Sequence, residues 1–262
     1  MSDVGGPRGV TKDIGDSTVP LPKSRVLTEF QRAFDTDTPG RVVHGHTIVT
    51  DPQITPVAEP PRRVRVHIRD RLKQKLDEMV AKRLISPVTE PTPWVSNLVI
   101  VDKPNGDIRI CLDPKTLNKA IQREHYPTPT VDEVTTRLSD AKVFSVVDAS
   151  QAFWQIGLDD ASAKLCTFHT PFGRHRFEVV PYGIRSAPEL WQRTMHELVA
   201  GLRGVEVIAD DFIVFGSTEA DHDVNLRAFL RRAEERNLRL NADKFRCKVR
   251  SVKWMGHILS DQ

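Results

Sequence analysis

The sequence predicts an α+β fold, in which antiparallel strands pack against helices, and three observations carry this prediction. Residues 98–112 and 205–216 each place short β-branched or aromatic runs on both sides of a turn signal, which is typical of a hairpin. Apolar residues recur at helical spacing over residues 68–84. Two Ser/Thr-x-x-Glu sequences, at residues 130–133 and 186–189, are capping boxes that open further helices.

Length, composition and cysteine content narrow the class of protein. The chain has 262 residues, of which 39% are hydrophobic and 28% charged, enough for a sizeable core in one domain or two subdomains. No apolar run approaches the ~20 residues of a membrane span, and the first residues lack the apolar stretch of a secretory signal. The isolated Cys111, Cys166 and Cys247 favour a reducing, intracellular setting and argue against disulfides or a zinc site.

The net charge of +3 is unevenly distributed. Residues 62–83 carry nine Lys or Arg against three acids, and residues 227–253 carry ten against three. These segments hold +6 and +7, which leaves −10 on the rest of the chain. Two basic stripes on an otherwise acidic chain suit a polyanion, although either stripe alone also fits a solvated helix face.

In chain order, residues 1–60 are rich in Gly, Pro, Thr and Asp without a sustained period, which predicts an extended or disordered leader. A helix follows from Arg69, and Ser86-Pro87 ends it. Its apolar face comprises Ile68, Leu72, Leu76, Met79, Val80 and Leu84.

The first hairpin turns at Pro104-Asn105-Gly106, which fits a three-residue loop with Gly in the left-handed region. This loop pairs Lys103 with Asp107 and places Lys103 and Arg109 on one face, as a clamp for phosphate. A two-residue Asn-Gly turn would send these two basic side chains to opposite faces, so the inference depends on the turn type. The other face is expected to be core and comprises Leu98, Ile100, Ile108, Ile110 and Leu112.

Further elements follow the first hairpin. The capping box at residues 130–133 opens a helix, and residues 165–180 form a hairpin-like region. The second capping box, at residues 186–189, has Pro just inside a helix that runs to about Val199. Another helix spans roughly residues 219–236.

Three aspartates stand at the ends of predicted strands. The apolar run Val143–Val147 predicts a buried strand that ends at Asp148, and Asp210-Asp211 interrupts the second hairpin. Adjacent ionised carboxylates repel each other unless a cation lies between them, and hard oxygen ligands suit Mg²⁺. The alternatives are structural: Asp148 as an N-cap, and the acidic pair as a solvated turn.

Short motifs occur in this chain in a fixed order, and together they carry more information than any one of them. They are Trp94-Val-Ser-Asn97, Lys103-Pro-Asn-Gly-Asp-Ile-Arg109, Asp113-Pro-Lys-Thr-Leu-Asn-Lys119, Tyr126-Pro-Thr-Pro129, Phe144-Ser-Val-Val-Asp148, Phe153-Trp-Gln-Ile156, Thr167-Phe-His-Thr-Pro-Phe-Gly173, Pro181-Tyr-Gly-Ile184, Ser186-Ala-Pro188, Ala209-Asp-Asp211 and Trp254-Met-Gly-His257. The ordered set resembles the reverse transcriptases, most of all those of gypsy-type LTR retrotransposons, over about residues 41–262.

The resemblance implies a right-hand polymerase with fingers and palm, an antiparallel palm sheet backed by helices, and a thumb that is absent or truncated. It assigns residues 61–122 and 157–180 to the fingers, and residues 123–156 and 181–262 to the palm. The implied activity is RNA-directed DNA synthesis. Its partners are an RNA or DNA template with a primer, dNTP, and the missing thumb and RNase H part of a polyprotein, with no membrane.

The resemblance also implies roles for individual residues. Asp148, Asp210 and Asp211 are the catalytic carboxylates and the ligands of two Mg²⁺ ions, with Mn²⁺ as an alternative ion. One metal activates the primer 3′-hydroxyl, and the other binds the triphosphate and the leaving pyrophosphate. Both members of the acidic pair serve one site because they sit in the bend of the hairpin.

The substrate contacts follow from the same resemblance. Lys103 and Arg109 match the basic residues that grip the triphosphate, and Tyr182 matches the position near the nucleotide and template. Phe153 matches the aromatic residue that would collide with a ribose 2′-hydroxyl, although it also fits a core phenylalanine. The primer grip is matched by Trp254, Met255 and Gly256.

Two features depart from the family pattern. Ile208 occupies a position that is often Tyr in the retroviral version of the acidic motif, and the match ends near the end of the sequence. The rival hypothesis is a truncated or domesticated remnant that binds nucleic acid through the basic stripes without extending primers. A nucleotidyl cyclase is disfavoured because a cyclase has no primer to hold. The location is open between a cytoplasmic particle and the nucleus.

Overall fold

The structure is a computed structural model that describes residues 21–103 and 106–260. The α-helices of these residues are α1 (Lys23–Glu29), α2 (Gln31–Phe34), α3 (Val66–Ala81), α4 (Lys115–Ala120), α5 (Val131–Thr135), α6 (Asp160–Leu165), α7 (Ala187–Val199) and α8 (Glu219–Glu235). The strands are β1 (Val43–His46), β2 (Ile85–Pro87), β3 (Asn97–Asp102), β4 (Ile108–Asp113), β5 (Val143–Asp148), β6 (Ile156–Leu158), β7 (Thr167–Thr170), β8 (Gly173–Phe177), β9 (Val205–Ile208), β10 (Asp211–Gly216), β11 (Arg246–Val249), β12 (Ser251–Trp254) and β13 (His257–Ser260). Short 3-10 turns cover Thr136–Leu138 and Ala152–Gln155.

The central sheet is antiparallel and has the strand order β11-β5-β10-β9. A second sheet has the order β2-β8-β7, β1 pairs in parallel with β6, and β3-β4 and β12-β13 are hairpins. None of the helices in the described residues has the length and apolar character needed to cross a membrane.

Strand β10 is buried on both faces, which explains why its sequence does not alternate. Phe212 enters the larger core and its neighbour Ile213 enters a second core, and both are fully buried. Helix α8 covers the first face, where the rings of Phe212 and Phe229 lie 4.9 Å apart. The second face is covered by residues from α5 and β12, including Trp254. A continuous apolar run is the pattern of such a strand.

The first hairpin has the predicted register. Lys103 N–H donates to the Asp107 carbonyl oxygen at 2.8 Å, so the two residues are paired across the turn. Gly106 has φ of 82°, as the three-residue loop requires. Ile108, Ile110 and the other core-face residues of β4 are buried, and Arg109 lies on the opposite face with Lys103.

Of the two predicted capping boxes, one is present and one is wrong. The Thr130 side chain accepts from Glu133 N–H, and the Glu133 side chain accepts from Thr130 N–H. Ser186 is the N-cap of α7, but its side chain makes no capping hydrogen bond with the described residues. Ser186 has φ of −87° and ψ of −8°, a helical conformation unlike the extended one of a capping residue. The Glu189 side chain binds the guanidinium of Arg123 instead, with Nε 3.1 Å from each carboxylate oxygen.

The prediction of an extended or disordered leader is wrong for residues 21–60, while residues 1–20 lie outside the described residues. Val26 of α1, Ala33 of α2 and Phe30 between the two helices pack into the larger core, and β1 pairs with β6. These helices have seven and four residues, too few to show a helical period in the sequence. Helix α3 also begins at Val66, three residues before the prediction.

Candidate active site

The acidic pair is divided between a loop and a strand. Ile208 and Asp211 face each other as Cα partners, so Ala209 and Asp210 form the two-residue loop and Asp211 begins β10. Ala209 has φ of 53°, a conformation that suits the first position of a tight hairpin turn. The prediction that both aspartates sit in the bend is therefore wrong for Asp211.

Asp211 nevertheless lies next to Asp148. Asp148 ends β5, and the antiparallel register places its Cα directly opposite that of Asp211. We call the two-residue loop Ala209-Asp210 the acidic turn. Ala149 N–H donates to the Asp210 carbonyl oxygen at 2.8 Å, which fixes the acidic turn against the end of β5. The structure thus brings the carboxyl groups of Asp148 and Asp211 together at one end of the central sheet.

The surroundings make it costly for Asp211 to be ionised. Burial, the negative charge of Asp148, a hydrogen bond between the two carboxyl groups and the charge of Asp210 together raise the pKa of Asp211 to about 6. The Lys244 ammonium group opposes this rise and donates a hydrogen bond to Asp148. That bond to Asp148 is also the main cause of the raised pKa of Lys244.

A cleft of about 470 Å³ opens over these groups. We call it the carboxylate cleft, and it is lined by Val146, Asp148, Asp211, Asp243, Lys244, Arg246, Lys253, Trp254 and Met255. Two of the residues matched to the primer grip therefore share one cleft with two of the predicted catalytic aspartates. Acidic and basic side chains both line this cleft.

Two neighbouring carboxylates that already attract an ammonium group fit the ligand preference of Mg²⁺. This ion is commonly held by one or two carboxylates, water and substrate phosphates. Among the described residues, no three His, Cys, Asp or Glu side chains are grouped tightly enough to hold an ion alone. Asp210 is exposed on the loop and acts on Asp211 through its charge, so a complete three-carboxylate cluster is not formed.

A second, smaller pocket of about 190 Å³ lies on the other side of the acidic turn. We call it the aromatic pocket, and it is lined by Thr128, Ala152, Phe153, Tyr182, Pro188, Trp191, Gln192, Ala209 and Asp210. Phe153 is only partly buried, and its ring centroid lies 5.1 Å from that of Tyr182. Asp210 therefore shares this pocket with the two aromatic residues predicted to contact the nucleotide.

The hairpin β3-β4 reaches the aromatic pocket through Tyr182. The Arg109 guanidinium lies 5.7 Å from the Tyr182 ring centroid, within range of a cation–π interaction. Lys103, on the same face, binds Asp107 at 3.0 Å. Burial, with a contribution from Asp210, raises the pKa of Tyr182 to about 12, against the opposing effect of Arg109.

The position after Tyr182 must be glycine. Gly183 has φ of 111°, and a Cβ atom there would lie 2.0 Å from the Leu112 carbonyl oxygen. This close approach allows Leu112 N–H to donate to the Tyr182 carbonyl oxygen at 2.8 Å. The backbone contact fixes the aromatic pocket against the end of β4.

The residues matched to the primer grip form the turn of hairpin β12-β13. Trp254 pairs with His257, which leaves Met255 and Gly256 as a two-residue loop with φ of 49° and 86°. Positive φ at both positions is the geometry of a type I′ turn. Trp254 is buried in the second core, so the turn presents Met255 to the carboxylate cleft from a fixed base.

Sequence reasoning missed three residues that contact the predicted catalytic aspartates or their turn. Lys244 binds Asp148, and Trp191 Nε1–H donates to the Ala209 carbonyl oxygen at 2.9 Å. The side-chain oxygen Oε1 of Gln192 accepts from Ala209 N–H at 2.7 Å. Gln192 lies on the buried face of α7 and is 1% exposed. A polar residue on the apolar face of a predicted helix was the available signal for it.

Comparison with known proteins gives the family. The model of the family described as "Reverse transcriptase (RNA-dependent DNA polymerase)" matches residues 101–259, more than half of the chain. The chain is 32% identical over 186 residues to the "Enzymatic polyprotein" of Cauliflower mosaic virus (strain D/H), covering 71% of this chain and 27% of that protein. It is 30% identical over 199 residues to the "Retrovirus-related Pol polyprotein from transposon 412" of Drosophila melanogaster, covering 72% and 16%.

Solved structures agree on the fold. The foamy viral protease-reverse transcriptase in complex with RNA/DNA hybrid superposes with a TM-score of 0.81 at 18% identity, covering 91% of this chain and 32% of that one. The same viral protein with double-stranded DNA gives a TM-score of 0.82 at 18% identity, covering 98% and 48%. The predicted α+β fold of reverse transcriptase fingers and palm is thus confirmed. The chain belongs to the reverse transcriptase (RNA-dependent DNA polymerase) family.

Proposed function

We propose that this chain catalyses RNA-directed DNA synthesis, in which a primer 3′-hydroxyl attacks dNTP and pyrophosphate leaves. One observation carries the proposal. The register of β5 and β10 places Asp148 opposite Asp211, and both carboxylates line the cleft that is also lined by Trp254 and Met255 of hairpin β12-β13. A cation site and a surface for a primer end therefore adjoin each other.

The carboxylates supply the metal site. Asp148 and Asp211 would hold Mg²⁺ or Mn²⁺ together, and the exposed Asp210 would complete the set when substrate phosphates are present. Two bound divalent ions would lower the pKa of the attacking hydroxyl and stabilise charge on the leaving group. Lys244 then exchanges its hydrogen bond to Asp148 for other partners.

The remaining residues position the substrates. Lys103 and Arg109 lie on one face of the hairpin and bind the triphosphate, with the guanidinium held over Tyr182. The partly exposed Phe153 borders the aromatic pocket and excludes a ribose 2′-hydroxyl by its bulk. Met255 and Gly256 hold the primer end, where a displacement of ~1 Å can lower the rate ~100-fold.

The template and primer are the proposed partners, together with the thumb and RNase H parts of a polyprotein. The curated relatives are polyproteins of which this chain spans 16–27%. The solved viral relatives are complexes with RNA/DNA hybrid and with double-stranded DNA. The gypsy-type origin, the division into fingers and palm segments, and a location in a particle or the nucleus belong to the same proposal.

The test is extension of an oligo(dT) primer on poly(rA) with dTTP and Mg²⁺. Wild type, Asp211→Asn and Asp243→Asn are compared. Asp243 lines the same cleft but is exposed and outside the predicted ligand set, which makes it a matched control. We expect incorporation by wild type and Asp243→Asn, and a loss on the order of 10³-fold in Asp211→Asn.

Binding of the template-primer separates the rival hypothesis from this one. Equal, background-level incorporation by all three proteins, together with intact binding of the poly(rA)/oligo(dT) duplex, would favour a nucleic-acid-binding remnant. An equal loss in Asp211→Asn and Asp243→Asn would contradict the assignment of Asp211.

A further inference from the structure

The peptide group of Ala209, at the tip of the acidic turn, is held by side chains of α7. Gln192 accepts from Ala209 N–H at 2.7 Å and donates to the Val207 carbonyl oxygen at 3.2 Å. These two contacts fix which end of the Gln192 amide carries the oxygen, because a backbone N–H can only donate and a carbonyl can only accept. The amide nitrogen of Gln192 therefore faces away from Ala209.

This nitrogen lies 2.8 Å from Nε2 of His196, one helical turn further along α7. An amide NH₂ group can only donate, so Nε2 must be an unprotonated acceptor. In a neutral ring the proton is then on Nδ1, which lies 2.8 Å from the Tyr126 hydroxyl oxygen. His196 thus donates to Tyr126 and accepts from Gln192.

We propose that Tyr126, His196 and Gln192 form a chain of positioning residues that holds the acidic turn in its active geometry only while His196 is neutral. The inference rests on the proposed polymerase function for its consequence, but not for its geometry. None of the three residues belongs to the proposed metal ligands Asp148, Asp210 and Asp211. Each acts through the next, and the last holds the backbone beside Asp210.

Protonation of His196 would break the chain at a defined point. A second N–H on Nε2 would face the NH₂ hydrogens of Gln192 and would compete for the Val207 carbonyl oxygen, whose proximity favours a protonated ring. Gln192 would have to rotate away, and its bond to Ala209 N–H would be lost. Of the two side-chain hydrogen bonds from α7 to Ala209, the acidic turn would then keep the one from Trp191.

The charged groups around the ring act in opposite directions on its protonation. Glu206 on β9 favours the charged ring, Arg137 opposes it, and these two residues bind each other at 2.9 Å. Arg193, also on α7, is bound to Glu124 at 3.0 Å. Burial is the largest effect and lowers the pKa of His196 below its ordinary value, while the partial exposure of the ring lets a proton enter.

Hydrogen exchange of the Ala209 amide tests the chain without any need for activity. The full chain is labelled with ¹⁵N-alanine, and the protection factor is measured from pH 7.5 to pH 5. For wild type we expect a roughly tenfold fall, as for the loss of one hydrogen bond. The variant His196→Gln stays neutral and should hold a constant value within about twofold.

The exposed His67 on α3 supplies the matched control, because His67→Gln makes the same substitution away from the acidic turn. It should behave as wild type. Titration of Asp211 is common to all three proteins, so it cannot produce a difference between them. A wild-type protection factor that does not change with pH, or an equal fall in His196→Gln, would overturn the proposal.

Two further measurements keep the proposal testable and separate it from the proposed function. A ¹H–¹⁵N spectrum of the wild-type imidazoles should show the Nδ1–H tautomer for His196 at pH 7.5, and the Nε2–H tautomer would overturn the chain even if His196→Gln did not fold. In primer extension, the ratio of kcat at pH 7.5 to kcat at pH 5 should be smaller in His196→Gln than in wild type. If the Ala209 amide exchanges as expected but no protein incorporates nucleotide, the positioning chain of Tyr126, His196 and Gln192 would be supported. The proposed polymerase function would be contradicted.

Discussion

The two cavities on either side of the acidic turn differ in chemistry. The carboxylate cleft is the larger, at about 470 Å³, and combines acids with the basic Lys244, Arg246 and Lys253. The aromatic pocket, at about 190 Å³, is bordered by Phe153, Tyr182 and other bulky side chains. Asp211 lines the first and Asp210 lines the second, although the two residues are adjacent in sequence.

This difference indicates two kinds of recognition. Charge governs the carboxylate cleft, so changes there should alter metal binding and the chemical step. Shape governs the aromatic pocket, so changes there should alter the choice of nucleotide with less effect on the chemical step.

The double variant Asp148→Asn/Asp211→Asn tests whether the two carboxylates act as one unit. Each single substitution should lower the rate of primer extension on the order of 10³-fold, because each would remove one carboxylate from the proposed metal site. The double variant should lose no more than about tenfold beyond either single one, since residues that act as a unit are not additive. Single-turnover rates at saturating dNTP measure this, and a loss near 10⁶-fold would indicate two independent sites.

The variant Phe153→Val tests the aromatic pocket. Shortening the side chain should raise kcat/KM for ribonucleotides relative to deoxynucleotides by about 10- to 100-fold, the usual range for discrimination by pocket size. The variant Tyr182→Phe, which keeps the neighbouring ring, is the control and should change this ratio by less than about threefold. Unchanged sugar discrimination in Phe153→Val would contradict the proposed exclusion of the 2′-hydroxyl and favour the alternative that Phe153 is a core residue.

The pH dependence of the free energy of unfolding tests how much the neighbouring carboxyl groups of Asp148 and Asp211 destabilise the folded protein. The pKa of Asp211 is raised from 3.8 to about 6 in the folded protein, so folding with Asp211 ionised is unfavourable at neutral pH. In EDTA and above pH 6, the free energy of unfolding of Asp211→Asn should therefore exceed that of wild type by on the order of 1 kcal/mol, after allowance for solvent screening. This advantage should decrease as the pH falls from 6 towards 4, because the native carboxyl group then binds a proton.

Urea unfolding at fixed pH values measures this difference. An advantage that is constant across the range would show that Asp211 does not titrate as the arrangement of charges requires. An advantage for Asp243→Asn of the same size would assign the effect to the cleft in general.

The two Ser/Thr-x-x-Glu sequences give the smallest predicted effect and a matched pair of substitutions. Thr130→Ala removes the capping box of α5, which packs in the second core with Trp254, and should cost about 1 kcal/mol of unfolding free energy. Ser186→Ala, at the start of the helix that borders the aromatic pocket, should cost less than about 0.3 kcal/mol, since its side chain makes no capping bond with the described residues. Equal costs in urea unfolding would contradict the observed difference between the two caps.

Strongly patterned elements were predictable from the sequence alone. The turn residues of the first hairpin indicated its register, and the uninterrupted apolar run Val143–Val147 predicted a buried strand. The ordered motifs led to the family because their sequence order is preserved. Each of these signals is local, so each could be interpreted without knowing what packs against it.

The missed features depend on contacts between distant residues. Glu189 binds Arg123 and does not complete the predicted capping box, and Phe30 is buried between two helices that are too short to show a period. Lys244 reaches Asp148 from 96 positions along the chain. No pattern within a short window encodes such partners.

Manganese binding tests the central claim, that Asp148 and Asp211 share one cation. Titration of the full chain with Mn²⁺ at pH 7.5, followed by the EPR signal of the free ion, gives the affinity of wild type, Asp148→Asn, Asp211→Asn and Asp243→Asn. The shared site predicts that Asp148→Asn and Asp211→Asn each weaken binding by about tenfold or more, because each loses one of two ligands. Asp243→Asn should bind within about twofold of wild type. Wild-type affinity in Asp148→Asn would contradict the claim.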